Sequence, residues 1–183
     1  MGGGTGRGGI IQPKMKNHFR VRVIRFGPLS GGLEFSQQVM SCDRPTRAQN
    51  PVTVHSYNSI AYYAGKAEWN PINLTLRDDV TNSIAKLIGH QEQKQMNHFE
   101  QTTALAGSNY KFEMYVESMD GGNDNILCQW YLEGCFLDTV NSDGYDYSSA
   151  EPMTFQLSIR YDNATMSGGL MPTTPALLTG VGI

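Results

Sequence analysis

Cysteine is scarce in this chain: 183 residues hold only Cys42, Cys128 and Cys135. An odd number at these spacings fits no zinc-binding pattern. They are expected to be buried free thiols, with an intermolecular disulfide formed after release as the alternative. Long apolar runs are missing too. No stretch of 18 apolar residues is present to cross a membrane as a helix. No charged segment followed by an apolar one succeeds Met1, so synthesis inside the cell without a secretory signal is expected.

The motifs of catalysis are absent as well. There is no H-E-x-x-H, no G-x-x-x-x-G-K-[ST] and no G-x-S-x-G. Gly4-Thr5-Gly6-Arg7-Gly8-Gly9 formally spells G-x-G-x-x-G. That fingerprint needs a strand before it and a helix N-terminus after it. Only Met1 and two glycines precede the match, and Ile10-Ile11-Gln12-Pro13 does not start a helix. Glycine at this density is costly to order, so residues 1–14 read as a flexible arm. A Gly/Arg RNA-binding tail is the alternative, with Arg7 as its one basic residue. Of the four histidines, His18, His55, His90 and His98, only His90 and His98 share a helical stretch, and Lys94 between them repels a cation. Asp78 and Asp79 read as helix-start carboxylates rather than an acid–base pair. No metal, no cofactor and no catalytic residue are expected.

What is present is a β pattern. The length suits one domain, whose folding hides roughly 70% of the unfolded chain's surface. Residues 18–26, HFRVRVIRF, alternate Phe19, Val21 and Val23 against Arg20 and Arg22, with a bulge expected before Ile24 and Phe26. Residues 27–32 are a Gly/Pro turn, 36–42 a weaker strand and 44–51 a loop with two prolines. Residues 52–57 and 72–77 are β-rich, with the aromatic stretch SIAYYAGKAEWNP between them. Then the period changes. Val80, Ile84, Leu87 and Ile88 stand at helical spacing, predicting one helix over about residues 78–98. Its apolar stripe ends near Ile88, so it is expected to project or fray beyond Gly89. Residues 110–117, ILCQWYLEG, CFLDTV and 153–161 read as further strands, with a turn at 120–125. The sum is seven or eight strands and one flanking helix in a mainly β fold of two packed antiparallel sheets, a sandwich or barrel.

Charge divides unevenly. Residues 1–50 carry eight Lys/Arg against two acids, and residues 51–183 six against fifteen. Such asymmetry suits one surface of the chain meeting the complementary surface of another copy, or a basic segment that touches nucleic acid. For nucleic acid, the Arg20/Arg22/Arg25 strand would need aromatics interleaved on the same face. Phe19 alternates away from them.

Four motifs in order, PINLTLRDDV before a helix, SNYKFEMYVESMDG, WYLEGCFLDTVN and PMTFQLSIRYDNA, resemble the tail tube proteins of T-even-type contractile-tailed phages. The likeness covers residues 18–164. The wider group takes in tube proteins of phage-like bacteriocins, other contractile injection systems and type VI secretion. The resemblance implies a tube domain over residues 15–164, leaving the 1–14 arm and an extended C-terminal arm, 165–183, outside it. It also implies hexameric rings stacked into a hollow tube inside a contractile sheath, through which DNA leaves a phage. Its expected partners are other copies of itself, the sheath, baseplate and tail terminator proteins, and DNA in transit. Its expected location is the virion, after assembly in the host cytoplasm.

A conduit should not hold DNA by a file of Lys and Arg. Six copies of a chain with net charge −3 sum to about −18 per ring. If strand 110–117 lines the bore, Glu113 and Glu117 on its polar face are the lumen candidates. Arg20, Arg22 and Arg25 are candidates for charge contacts between subunits. A nucleic-acid-binding β-barrel module is the alternative function, as is, within the same class, the tube of a DNA-free injector.

Overall fold

A computed structural model describes residues 13–28, 32–34, 37–120 and 125–167. Most of the expected N-terminal arm and residues 168–183 of the C-terminal arm lie outside the described residues.

Twelve strands occur among the described residues: β1 (Phe19–Ile24), β2 (Gly32–Glu34), β3 (Val39–Cys42), β4 (Arg47–Ser56), β5 (Ser59–Trp69), β6 (Ile72–Arg77), β7 (Met96–Asn97), β8 (Thr102–Thr103), β9 (Phe112–Met119), β10 (Ile126–Ser142), β11 (Thr154–Arg160) and β12 (Asn163–Ser167). One helix, α1 (Ser83–Gln95), falls between β6 and β7. The strand order β2-β1-β9-β10-β11-β6-β3 is antiparallel throughout, and β12 also pairs with β10. Mainly β with antiparallel sheets and one flanking helix, this is the class the sequence predicts. No pairing joins β2 to β3 among the described residues, so the path is an open sandwich rather than a closed barrel.

Strand β10 makes the corner. The sequence reads as two strands there, but one 17-residue strand runs through. Its first half pairs with β9 and β12, and its second half pairs with β11. The register shifts between Leu132 and Cys135, around Gly134 at φ 65. A Cβ on Gly134 would stand 2.2 Å from Asp162 Oδ2, so this turn requires glycine.

The core lies between the two sheets. Val21 and Val23 of β1, Phe112, Met114 and Val116 of β9, Leu132 of β10, Leu157 and Ile159 of β11, and Ile72, Leu74 and Leu76 of β6 are buried together. In β1, β6, β9 and β11 alternation puts every second residue here, as period-2 geometry demands, while the shift at Gly134 breaks the alternation in β10. Arg25, at φ 64, turns the chain after β1, so that Phe26 also enters the core and meets Phe112 edge-on at 4.9 Å.

Helix α1 is shorter at its start and more firmly held at its end than its sequence predicts. Val80 lies in the preceding turn and is fully exposed, outside the apolar stripe. Asp79 accepts the Ser83 backbone N–H at 2.9 Å and its hydroxyl at 2.7 Å, and these bonds lower the carboxyl pKa to about 2. Beyond Gly89 the helix does not project. Gln91 is fully buried, accepting from the Gly27 N–H at 3.0 Å and donating to the Tyr110 carbonyl. Gln95 accepts from Leu137 N–H and donates to Leu137 C=O, each at 2.9 Å. An amide side chain carries both a donor and an acceptor, so a polar helix face can be an inward face where strand ends or ladder irregularities leave backbone groups to be paired.

Candidate assembly surfaces

Three surfaces stand out. The first is the hairpin of β4 and β5, paired from Arg47↔Trp69 to Ser56↔Ser59. Every residue of β4 is exposed, and nearly all of β5. The sequence predicts a loop over 44–51 and an unassigned aromatic stretch over 59–71; residues 47–51 of the first and 59–69 of the second belong to this hairpin. Pro51, which has no N–H to give a ladder, sits where the register shifts between Gln49 and Pro51. Gly65 lies opposite that shift. A Cβ there would come 2.1 Å from the Asn50 carbonyl oxygen, so only glycine lets the strands close. The hairpin carries Val52, Val54, Ile60, Tyr62 and Tyr63 on its surface, with Tyr57 fully exposed at the turn. A two-stranded ribbon with apolar side chains in water has little to stabilise it without a partner.

The second surface is the outer face of β1, β9 and β10. Here the structure brings together the two sets of candidate residues. Arg20 donates from Nε to Glu117 Oε2 at 2.7 Å, and Arg22 donates to Glu117 Oε1. Gln129 of β10 adds a third bond to the same carboxylate at 2.7 Å. Arg25 pairs with Glu113 at 2.5 Å, and Tyr131 donates its hydroxyl to Glu113 at 3.0 Å. Tyr115 and Tyr131 stack between the acids at 4.8 Å, with the Arg22 guanidinium 5.3 Å from the Tyr115 ring centre. Glu117 is fully buried. Burial pushes its carboxyl pKa up, but the bonds from Arg20, Arg22 and Gln129 outweigh burial and hold it below the ordinary value. The face is polar but charge-compensated.

The third surface is a cleft of about 810 Å³ at the Phe19–Ser118 end of the β1–β9 pair, opposite the end that α1 holds. Phe19 and Val116 line its floor, and Met15 and Met40 flank it. Lys14, Lys16 and Arg44 stand around it, exposed.

Among the described residues no three His, Cys, Asp or Glu side chains gather to hold a metal ion. His90 and His98 are exposed at the α1 end. The three cysteines are unpaired; Cys135 is buried, while Cys42 and Cys128 are only partly so. Burial, with Asp43 beside one and Asp162 near the other, pushes the Cys42 and Cys135 thiols up to about 12. A raised thiol pKa keeps the nucleophilic thiolate form scarce.

No protein-family model matches the chain, and no curated protein matches it in sequence. Solved structures match it in shape. A chain of the cryo-EM structure of the anti-feeding prophage baseplate superposes with a TM-score of 0.68 at 11% identity, over 87% of this chain and 98% of that one. A chain of the anti-feeding prophage tube-terminating cap gives 0.64 at 14% identity, over 87% and 93%. A chain of the sheath–tube complex of PVC, an extracellular contractile injection system in its extended state, gives 0.61 at 14%, over 86% and 93%. Identities this low speak of fold. The fold is that of components of contractile injection systems, the group the sequence motifs resemble.

Proposed function

We propose that this chain is the tube subunit of a contractile tail, assembling as hexameric rings that stack into a hollow conduit. The observation that carries the reading is the β4–β5 hairpin. It exposes valine, isoleucine and tyrosine along 23 residues with only its own base, at Trp69, packed on the core. A second copy of the chain is the partner that a repeating tube supplies. The shared fold with contractile injection system components supports the same reading. In a phage the conduit delivers DNA to the host; in a related injection device it delivers another load. The role is assembly and passage, with no chemical turnover.

The charge-compensated face of β1, β9 and β10, with Glu113 and Glu117 on it, lines the bore in this proposal. Pairing with Arg20, Arg22 and Arg25 removes the open positive charge that would retain a polyanion. The same pairing disfavours the reading as a nucleic-acid-binding module, because the three arginines are already engaged by carboxylates. Sheath, baseplate and terminator proteins are the expected neighbours of the finished tube.

The test is to replace Ala48–Glu68 by a short Gly-containing turn, keeping Arg47 and the core-packed Trp69, and compare assembly by sedimentation velocity. The shortened protein should fold and stay monomeric where the full chain forms large particles. Equal assembly without the hairpin would overturn its assignment as the ring-joining element.

A further inference from the structure

The pairing of Arg20, Arg22 and Arg25 within the chain leaves a question about the basic first fifty residues. Four described basic residues there form no ion pair with a described carboxylate: Arg47, whose guanidinium lies over the Trp69 ring at 5.8 Å, and Lys14, Lys16 and Arg44, which all border the 810 Å³ cleft. The one acid in the lining, Asp43, is held by the Asn73 backbone N–H at 3.2 Å and its side-chain amide at 2.9 Å. The cleft is therefore an apolar floor bordered by three cations and one carboxylate, a rim of net positive charge.

Its complement stands on the β10–β11 connection. Residues 143–153 carry Asp143, Asp146 and Glu151 and no Lys or Arg. Tyr145 and Tyr147 on this loop are 93% and 112% exposed. Asp146 accepts from the Ser148 N–H at 2.9 Å and its hydroxyl at 2.8 Å, which fixes the turn around Tyr147. The loop lies at the Ser142–Thr154 end of the second sheet, beside Arg77. Cys42 and Asp43, at the cleft, lie at the other end, beside Leu74 and Asn73.

We propose that the acidic tyrosine loop, residues 143–151, of one copy seats in the Lys14/Lys16/Arg44 cleft of the next. Tyr145 and Tyr147 cover Phe19, Val116 and Met40, while Asp146 and Glu151 meet the rim. Tyrosine anchors such a contact well, burying a large ring at small conformational cost and keeping its hydroxyl toward water. Because loop and cleft lie at opposite ends of one sheet, the contact is head-to-tail and repeats from copy to copy. It rests on the self-assembly reading above and names the surfaces that carry it.

The test uses two full-length variants, a cleft-reversed K14E/K16E/R44E and a loop-reversed G144K/A150K/E151K that keeps the Asp146 carboxylate and its turn, followed by sedimentation velocity alone and mixed. Each alone should associate at least about tenfold more weakly than wild type, with an unchanged melting temperature. An equal mixture should regain association, since every reversed cleft then meets a reversed loop and every native cleft a native loop. The recovered mixture also shows that both variants are folded. Wild-type association by each variant alone, or no recovery on mixing, overturns the contact while leaving the tube reading in place. If cleft reversal lowers binding of duplex DNA and leaves self-association unchanged, the cleft is a phosphate surface and the contact is overturned. A wild-type chain that stays monomeric at every concentration overturns both.

Discussion

Arg20 and Glu117 stand directly opposite each other across the β1–β9 ladder, joined at 2.7 Å between Arg20 Nε and Glu117 Oε2. Glu117 is fully buried there, with Arg22 and Gln129 completing its shell. Removing one partner of such a group leaves the others facing an unfilled, desolvated site. Glu117→Ala should therefore destabilise the chain by roughly 3 kcal/mol, and Glu117→Gln by less, read as a lower urea midpoint at an unchanged slope.

The same carboxylate sets a pH dependence. Its folded pKa is lowered, so the stability it contributes is fully present above the ordinary glutamate pKa of about 4.3. That stability is lost as pH falls through the lowered folded value. Asp79, with its pKa near 2, adds to the loss over the range from about 4 down to 2. Wild type should lose stability more steeply than Glu117→Gln as pH falls below about 4.3. Parallel curves for the two proteins would contradict the assignment.

Gln91 ties α1 to two strand ends. Gln91→Ala strands the Gly27 N–H and the Tyr110 C=O in a buried place, at about 1–3 kcal/mol for each group. Thermal unfolding should show the loss clearly, whereas Gln93→Ala on the exposed face should change little. Equal melting temperatures for the two variants would contradict the buried position.

These glutamines show where sequence pattern stops being informative. Hydrophobic periodicity located α1 and the strands through Val21, Phe112, Leu157 and their alternating neighbours, because burial and period coincide there. It expected the far half of α1 to project or fray, because Gln91 and Gln95 turn inward for their hydrogen bonds, which leave no apolar trace. It missed β5 because a ribbon exposed on both faces has no inside to alternate toward, and because Ala61, Ala64, Gly65 and Ala67 favour strand weakly. Gly134 in β10 looks like a break between strands in sequence; in space it is a corner within one strand. Of the candidate site residues, the alternation placed Arg20 and Arg22 on one face and Glu113 and Glu117 on another strand's polar face. Their meeting depends on the β1–β9 register, which no single strand encodes.

Gly65→Ala separates folding from assembly. The new Cβ would come 2.1 Å from the Asn50 carbonyl oxygen and force the hairpin open, far from the core. The melting temperature should stay close to wild type while large particles disappear from sedimentation profiles. Normal assembly by this variant would mean the hairpin geometry is unimportant to it.

Val21 tests the core itself. Its side chain is 0% exposed between the sheets, with nothing charged to receive a carboxylate on that face. Val21→Asp should cost several kcal/mol and yield insoluble protein, because a buried acid without a partner must either stay unpaired or take up a proton. A soluble variant melting like wild type would contradict the β1 assignment.

The central claim is that copies of this chain build a hollow tube. Negative-stain electron microscopy of the purified full-length protein, across a concentration series, tests it most directly. Six-fold rings, or tubes of uniform diameter with an open bore, are the expected result. Single small particles at every concentration would contradict the claim, leaving this chain with the fold of a contractile injection system component but without a tube's function.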